Sequence, residues 1–216
     1  MIVNEIFSSI DGEGIRTGEL ATFIRLAGCN MRCSYCDTLY ALKPTAGIEM
    51  SVDEIVKKVD KFNVKNITLT GGEPLIHNEV DLLIDSLTKQ KYKVNIETNG
   101  SVPIDKYLDS CLITMDYKTP SSLMEEKMLL DNIEKLKETD VLKFVVEKSD
   151  LATIERVLKR YNVRCYVYIS PIFGKIEPSE IVDFMKEMNE RGVNMDKVRV
   201  QVQLHKVIWD PNMKGV

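Results

Sequence analysis

Strand-like and helix-like segments alternate along almost the whole chain, and this alternation restricts the fold more than any other feature. Ile2–Ile6 and Ala21–Leu26 read as strands. Residues 52–62 place Val52, Ile55, Val56, Val59 and Phe62 on one helical face, with Ser51 and Glu54 as a capping box at its start. The strand Asn66–Thr70 runs into Gly71-Gly72, and Val80, Leu83, Ile84 and Leu87 repeat the helical spacing. Strands are expected at Lys93–Glu97 and Leu112–Asp116, a helix over Met124–Lys137, and a β-branched strand at Val141–Val146. Leu151, Ile154, Val157, Leu158 and Tyr161 mark a helix, Cys165–Ser170 a strand, Ile181, Phe184, Met185 and Met188 another helix, and Val198–Val202 a last strand. Such alternation predicts an α/β fold of parallel strands joined by right-handed crossovers. Sites in these sheets and barrels gather at the C-terminal ends of the strands. Four unusual segments obey that rule: Cys29–Cys36, Gly71–Pro74, Glu97–Asn99 and Asp116–Lys118 each follow a strand. Parallel strands therefore bring all four to one mouth.

Cys29, Cys33 and Cys36 lie within eight residues, spaced C-x3-C-x2-C, with Tyr35 before the last. Three thiolates at this pitch suit three irons of a 4Fe–4S cluster and leave the fourth iron without a protein ligand. An open coordination position is where a metal does chemistry rather than carry electrons. Zinc held by three cysteines and a histidine is the rival reading, with only His77 and His205 available and neither at a paired spacing. Cys33 and Cys36 alone make a C-x-x-C, a thiol–disulfide pattern that gives Cys29 no part. Tyr35 either packs or offers an aromatic face to whatever binds the open iron. Gly71-Gly72-Glu73-Pro74 permits close backbone approach to a ligand, with Glu73 as an acceptor for a ligand ammonium; the plain alternative is a tight turn before the next helix. Glu97-Thr98-Asn99 suits ribose hydroxyls and is equally a common turn composition.

The chain has 216 residues, 44% hydrophobic and 29% charged, with a net charge of −4. That is enough for a substantial core, expected as one domain over 1–216 because no linker or composition shift interrupts it. The negative charge argues against a general nucleic-acid surface. No apolar run reaches the roughly 20 residues of a membrane span, and the first residues do not read as a signal peptide. Five cysteines, three of them clustered, fit a reducing cytoplasm better than a disulfide framework.

Cys29-x3-Cys33-x2-Cys36 followed by Gly71-Gly72-Glu73-Pro74 resembles the radical S-adenosylmethionine (SAM) superfamily. Phe7-Ser8-Ser9-Ile10-Asp11-Gly12-Glu13-Gly14, Thr22–Leu26, Cys36-Asp37-Thr38 and Gln203-Leu204-His205-Lys206 extend the resemblance over nearly the whole chain, to the 7-carboxy-7-deazaguanine synthase family. The resemblance implies a partial TIM-like barrel of mostly parallel strands, a reduced radical SAM core. It implies a lyase that turns 6-carboxy-5,6,7,8-tetrahydropterin into 7-carboxy-7-deazaguanine with loss of ammonia, on the route to queuosine and other deazapurines. SAM, chelated by the open iron and cleaved to a 5′-deoxyadenosyl radical, supplies the hydrogen-abstracting species and is regenerated. Mg2+, a homodimer and an external donor such as flavodoxin or ferredoxin are implied as well.

Residue by residue, the resemblance assigns the pterin to Ile10, Asp11, Gly12, Glu13, Arg25, Thr70 and His205. Arg25 would grip the substrate carboxylate with its planar fork. Asp11 stands where the family has glutamine. SAM would meet Tyr35, Gly72, Glu73, Glu97, Thr98, Asn99, Lys118 and Ser170, and Mg2+ would meet Thr38. Asp116-Tyr117-Lys118 replaces a Ser-Pro-Lys segment and keeps only the lysine. His205 is expected on a strand, and the tail Trp209–Val216 is expected to fold over the pocket. A glycyl-radical activase of the same superfamily and a non-catalytic iron–sulfur protein are the competing functions.

Overall fold

The computed structural model describes residues 1–211 and 213–216. Among these residues nine strands form a single sheet in the order β3-β1-β2-β4-β5-β6-β7-β8-β9. These are β1 Ile2–Ile10, β2 Leu20–Leu26, β3 Ile48–Glu49, β4 Asn66–Gly71, β5 Lys93–Thr98, β6 Leu112–Tyr117, β7 Val141–Val146, β8 Tyr166–Pro171 and β9 Val198–Val200. From β2 through β9 every neighbouring pair is parallel. Only β1 runs against its neighbours β2 and β3. The sheet does not close on itself, so the architecture is the incomplete, mostly parallel barrel that the family resemblance implies.

The strands alternate with unusual sharpness. One side carries Ile67, Leu69, Ile96, Ile113, Met115, Leu142, Phe144 and Ile169, all without measurable exposure. These pack beneath the helices α1 Val52–Asp60, α2 Val80–Lys89, α3 Asn132–Lys135, α4 Leu151–Arg160 and α5 Pro178–Glu190. Tyr117 and Phe144, paired across β6 and β7, stack at 4.9 Å in this layer. Replacing Phe144 by alanine would cost about 3–5 kcal/mol. The residues between them point the other way and are polar: Thr68 and Thr70, Asn95 and Glu97, Thr114 and Asp116, Lys143, Ser170. A period of two thus gives the sheet one greasy face and one hydrophilic concave face.

Three elements depart from expectation. The first strand continues to Ile10, because Ser8, Ser9 and Ile10 pair with Thr22, Ala21 and Leu20 and Phe7 stacks on Phe23 at 4.9 Å. The helix expected over Met124–Lys137 is replaced by short 3-10 turns and the four-residue α3. Leu123 sits at φ +63°. Leu129 N and Asn132 Nδ2 both bond Gly100 O. Tertiary hydrogen bonds override the local helical preference there. His205 lies not on a strand but at the start of α6, His205–Ile208.

Residues 11–19, connecting β1 to β2, form the floor. Arg16 reaches the first residues of β4 and β5, donating to Ile67 O and Lys93 O at 3.1 Å. Gly14 and Thr17 bond the Gln201 amide just after β9 at 2.8 and 2.7 Å. The hairpin therefore spans the gap between the first strands and the last one. The capping box of α1 forms as the sequence suggests, Ser51 Oγ accepting from Glu54 N and Glu54 Oε2 from Ser51 N. No helix among the described residues is long and apolar enough to cross a membrane.

Candidate active site

The four motif segments emerge at one end of the parallel strands and surround a cavity of about 680 Å³ on the polar concave face. This size is typical of small-molecule sites. Cys29, Cys33 and Cys36 all line it. Among the described residues no group of three or more His, Cys, Asp or Glu is placed to hold a single metal ion; the thiols are spread along the wall.

The residues around the cysteines fit a bulky group. Gly71, at φ +144°, and Gly72 end β4 hard against the cysteine loop. A Cβ on Gly72 would lie 2.7 Å from Cys29 Cβ and closer still to Gly28 O. Glu73 N donates to Gly28 O at 2.9 Å. The cysteine backbone is thus held by the end of β4 as well as by bonds from Gly28 N and Cys29 N to Ala41 O and Leu42 O. Cys29 Sγ accepts from Met31 N at 3.4 Å and lies 3.8 Å from Asn99 Nδ2, donors of the kind that tune cluster sulfurs. Burial raises the Cys33 and Cys36 thiols, with Lys118 pulling both back. Lys118 meets Asp116 at 3.2 Å; burial opposes its charge, but Asp116, Cys33 and Tyr35 outweigh that and hold it a firm cation.

Tyr35, Gly72, Glu97, Thr98, Asn99 and Lys118 share the cavity lining with the cysteines. Glu73 does not. Its carboxylate is fully buried behind the wall, taking Leu75 N at 3.1 Å and Thr98 Oγ1 at 2.9 Å on Oε1 and Asn99 N at 2.6 Å on Oε2. Burial pushes its pKa up to about 7 against these donors. The expected acceptor for a ligand ammonium is instead a brace between the ends of β4 and β5. Ser170 is likewise set behind the lining, fully buried with no partner for Oγ.

The hairpin floor and β2 supply further lining. Ile10, Gly12, Glu13, Arg25, Thr70 and His205 line the cavity. Arg25 Nε donates to Glu5 Oε1 at 2.7 Å, which also accepts from Tyr40 at 2.9 Å. The guanidinium is thereby aimed, and its Nη groups have no hydrogen-bond partner among the described residues. Thr70 Oγ1 donates to Glu97 at 2.8 Å. His205 packs where a Gly12 side chain would be, and Leu204 N donates to Gly12 O at 3.0 Å. Burial lowers the His205 pKa, opposed by Glu13. Asp11 is the exception on this side. It lies under the floor, accepting from Thr68 at 2.6 Å and ion-paired with Arg16 at 2.9 Å. It holds the hairpin in place and does not line the cavity.

Thr38 lines the rim, donating to Asp37 at 2.9 Å. Burial opposes the Asp37 charge, but Lys206, Thr38, Lys143 and Arg25 hold its carboxyl below the usual range. Pro211, Met213, Lys214, Gly215 and Val216 close over the same rim, and Lys214 Nζ sits 4.2 Å from the Tyr40 ring centre. Sequence reasoning missed Lys143, Asp116 as a lining acid, and Lys206. Lys143 and Asp116 reach the cavity through strand order, both at inward steps of the period-two pattern, whereas Lys206 is brought there by the short helix α6.

The chain is similar in family and fold to known proteins. The family profile described as the Radical SAM superfamily matches residues 23–194. A 7-carboxy-7-deazaguanine synthase from Clostridium acetobutylicum is 43% identical, covering 99% of this chain and 98% of that protein. One from Methanospirillum hungatei is 39% identical over 98% of this chain and 86% of its own. The crystal structure of QueE from Escherichia coli overlays with a TM-score of 0.70 over 94% of both chains at 22% identity, a likeness of fold.

Proposed function

We propose, from the premise that this chain belongs to the radical SAM superfamily and within it to the 7-carboxy-7-deazaguanine synthase family, that residues 1–216 work as one unit converting 6-carboxy-5,6,7,8-tetrahydropterin to 7-carboxy-7-deazaguanine and ammonia. One observation carries the reading beyond family membership. A single cavity is lined both by the three thiols and by Arg25, its guanidinium aimed by Glu5, together with Glu13 and His205. That is a place for a small acid whose ring carries N–H groups, held against a radical source. A glycyl-radical activase needs a groove for a protein loop, and an electron carrier has no use for the polar floor.

When bound, a 4Fe–4S cluster and SAM supply the electron and the hydrogen-abstracting radical. The protein's own share is binding, orientation and exclusion of water. Cys29, Cys33 and Cys36 would hold the cluster. Tyr35, Gly72, Glu97, Thr98, Asn99 and Lys118 would cradle SAM, with Gly72 letting the end of β4 pack directly on the cysteine loop. Arg25 would clamp the substrate carboxylate, its approach fixed by Glu5 and Tyr40, so that the ring is presented in one pose. Ile10, Gly12, Glu13, Thr70 and His205 would surround the ring. Thr38, beside Asp37, would offer oxygen to Mg2+, a hard cation that keeps most of its waters. Pro211 and residues 213–216 would limit water at the rim. A homodimer, a flavodoxin- or ferredoxin-type donor and a cytoplasmic setting complete the reading.

The test is anaerobic. Cluster-loaded protein is mixed with SAM, dithionite, Mg2+ and 6-carboxy-5,6,7,8-tetrahydropterin, and 7-carboxy-7-deazaguanine is sought by mass spectrometry. Product that requires all three cysteines is the expected result. 5′-Deoxyadenosine without that product would replace the substrate, with a protein glycine tried next. Neither species from cluster-loaded protein would leave an electron carrier.

A further inference from the structure

The cavity holds a charge arrangement in which Lys143 and Asp116 have been given no role. Lys143 rises from the middle of β7 onto the concave face, its side chain 9% exposed. Its Nζ lies 3.1 Å from Glu13 Oε2 and 3.6 Å from Asp116 Oδ2. Asp116 is its register partner on β6, whereas Glu13 arrives from the hairpin floor. Asp116 Oδ2 also meets Lys118, Gln203 Nε2 reaches Glu13 Oε2 at 3.5 Å, and Glu97 adds a third carboxylate nearby on β5. Each acid turns one oxygen to Lys143. The other oxygens, Glu13 Oε1 and Asp116 Oδ1, are buried with no partner among the described residues. Buried acceptors are normally satisfied, and both side chains line the cavity.

We propose that Lys143 is a positioning residue for substrate and Asp116 a second acceptor beside Glu13. The ammonium fixes the two carboxylates so that Glu13 Oε1 and Asp116 Oδ1 take N–H donors from the 2-amino-4-oxopyrimidine edge of the ligand. The inference rests on the pterin reading above and adds what selects the ring. That edge carries adjacent donors, the ring N–H and the 2-amino group, and a carboxylate accepts such donors strongly. A ring with oxygen in place of the amino group would set acceptor against acceptor, the mismatch that polar sites reject best. Glu13, Asp116 and Glu97 keep Lys143 a cation despite its burial, so it serves as a fixed charge and not as an acid.

The experiment compares pterin-6-carboxylic acid with lumazine-6-carboxylic acid, which has oxygen at the 2-position. Binding to the cluster- and SAM-loaded enzyme is followed by fluorescence titration. The parent should favour the pterin by about tenfold or more. K143M should reduce that preference to about twofold or less, with the SAM dissociation constant and the SAM-dependent EPR signal of the reduced cluster unchanged. A general loosening of structure would weaken both acids alike and would overturn the proposal, as would an undiminished preference in K143M. If K143M fails to load its cluster, D116N decides, since it keeps Lys143 and loses one acceptor: a preserved preference there overturns the proposal and a lost one supports it. A parent that binds neither acid removes the pterin reading itself, whereas a parent that binds both equally removes only the role given to Lys143 and Asp116.

Discussion

Glu73→Gln separates the brace from the binding groups and makes a quantitative demand. The Glu73 carboxyl is ordinary in the unfolded chain and rises from 4.5 to about 7 in the folded one, chiefly through burial. Below pH 4.5 it is protonated in both states and contributes no pH dependence. Between 4.5 and about 7 the folded chain keeps a proton that the unfolded chain has released, so stability falls as pH rises. Above that range the loss is complete, about 3 kcal/mol, of which about 2.5 kcal/mol falls between pH 5 and 8. Glutamine has no such titration. It also turns an amide N–H toward one of the donors Leu75 N, Thr98 Oγ1 or Asn99 N, which costs about 1–3 kcal/mol at every pH. Relative to the parent, the variant should therefore gain about 2.5 kcal/mol between pH 5 and pH 8, whatever its fixed cost. Guanidinium unfolding followed by far-UV circular dichroism at pH 5, 6, 7 and 8 measures the difference. Curves that stay parallel within about 1 kcal/mol would refute the reasoning. Because Glu73 also holds Thr98 and Asn99, SAM should bind more weakly to the variant.

Three further outcomes follow from the same geometry. Gly72→Ala should leave the far-UV spectrum intact but lower cluster content and cost about 1–3 kcal/mol, because its Cβ would meet Cys29 and Gly28; iron and sulfide analysis with a melting curve reads both. Arg25→Lys should raise KM about tenfold, since an ammonium cannot hold a carboxylate bidentately while still meeting Glu5; steady-state kinetics with parental KM would remove Arg25 as the clamp. Cys29→Ala, Cys33→Ala and Cys36→Ala should each lose the catalytic cluster, whereas Cys111→Ala and Cys165→Ala, buried in the core away from the cavity, should keep it; cluster absorbance and turnover separate the two groups.

Much of the site was legible because its parts follow strands. The three cysteines, Gly72, Glu97–Asn99 and Lys118 could be placed at one mouth from alternation alone. Three kinds of information were not local. Whether a polar strand residue reaches the cavity depends on sheet order and on what covers it, which is why Lys143 was not named, Asp116 was read only as part of its segment, and Ser170, on the same face, stays out of the lining. A carboxylate's partners depend on what other strands bring to it, so Glu73 and Asp11, plausible ligand groups in sequence, are bound up in the framework. The helical composition of Met124–Lys137 gave way to hydrogen bonds with Gly100 and Val102, more than twenty residues earlier.

The hairpin floor has a consequence for how the molecule matures. Residues 12–14, made among the first, reach their bonded positions only against Gln201 and Leu204, made after every strand of the sheet. Within Cys29–Cys36 the bonded partners come earlier: the ends of β4 and β5 and residues 121–124, just after β6. During synthesis the chain thus becomes able to collect iron well before it can recognise a pterin, so a product halted short of residue 200 would sequester a cluster and leave its substrate untouched.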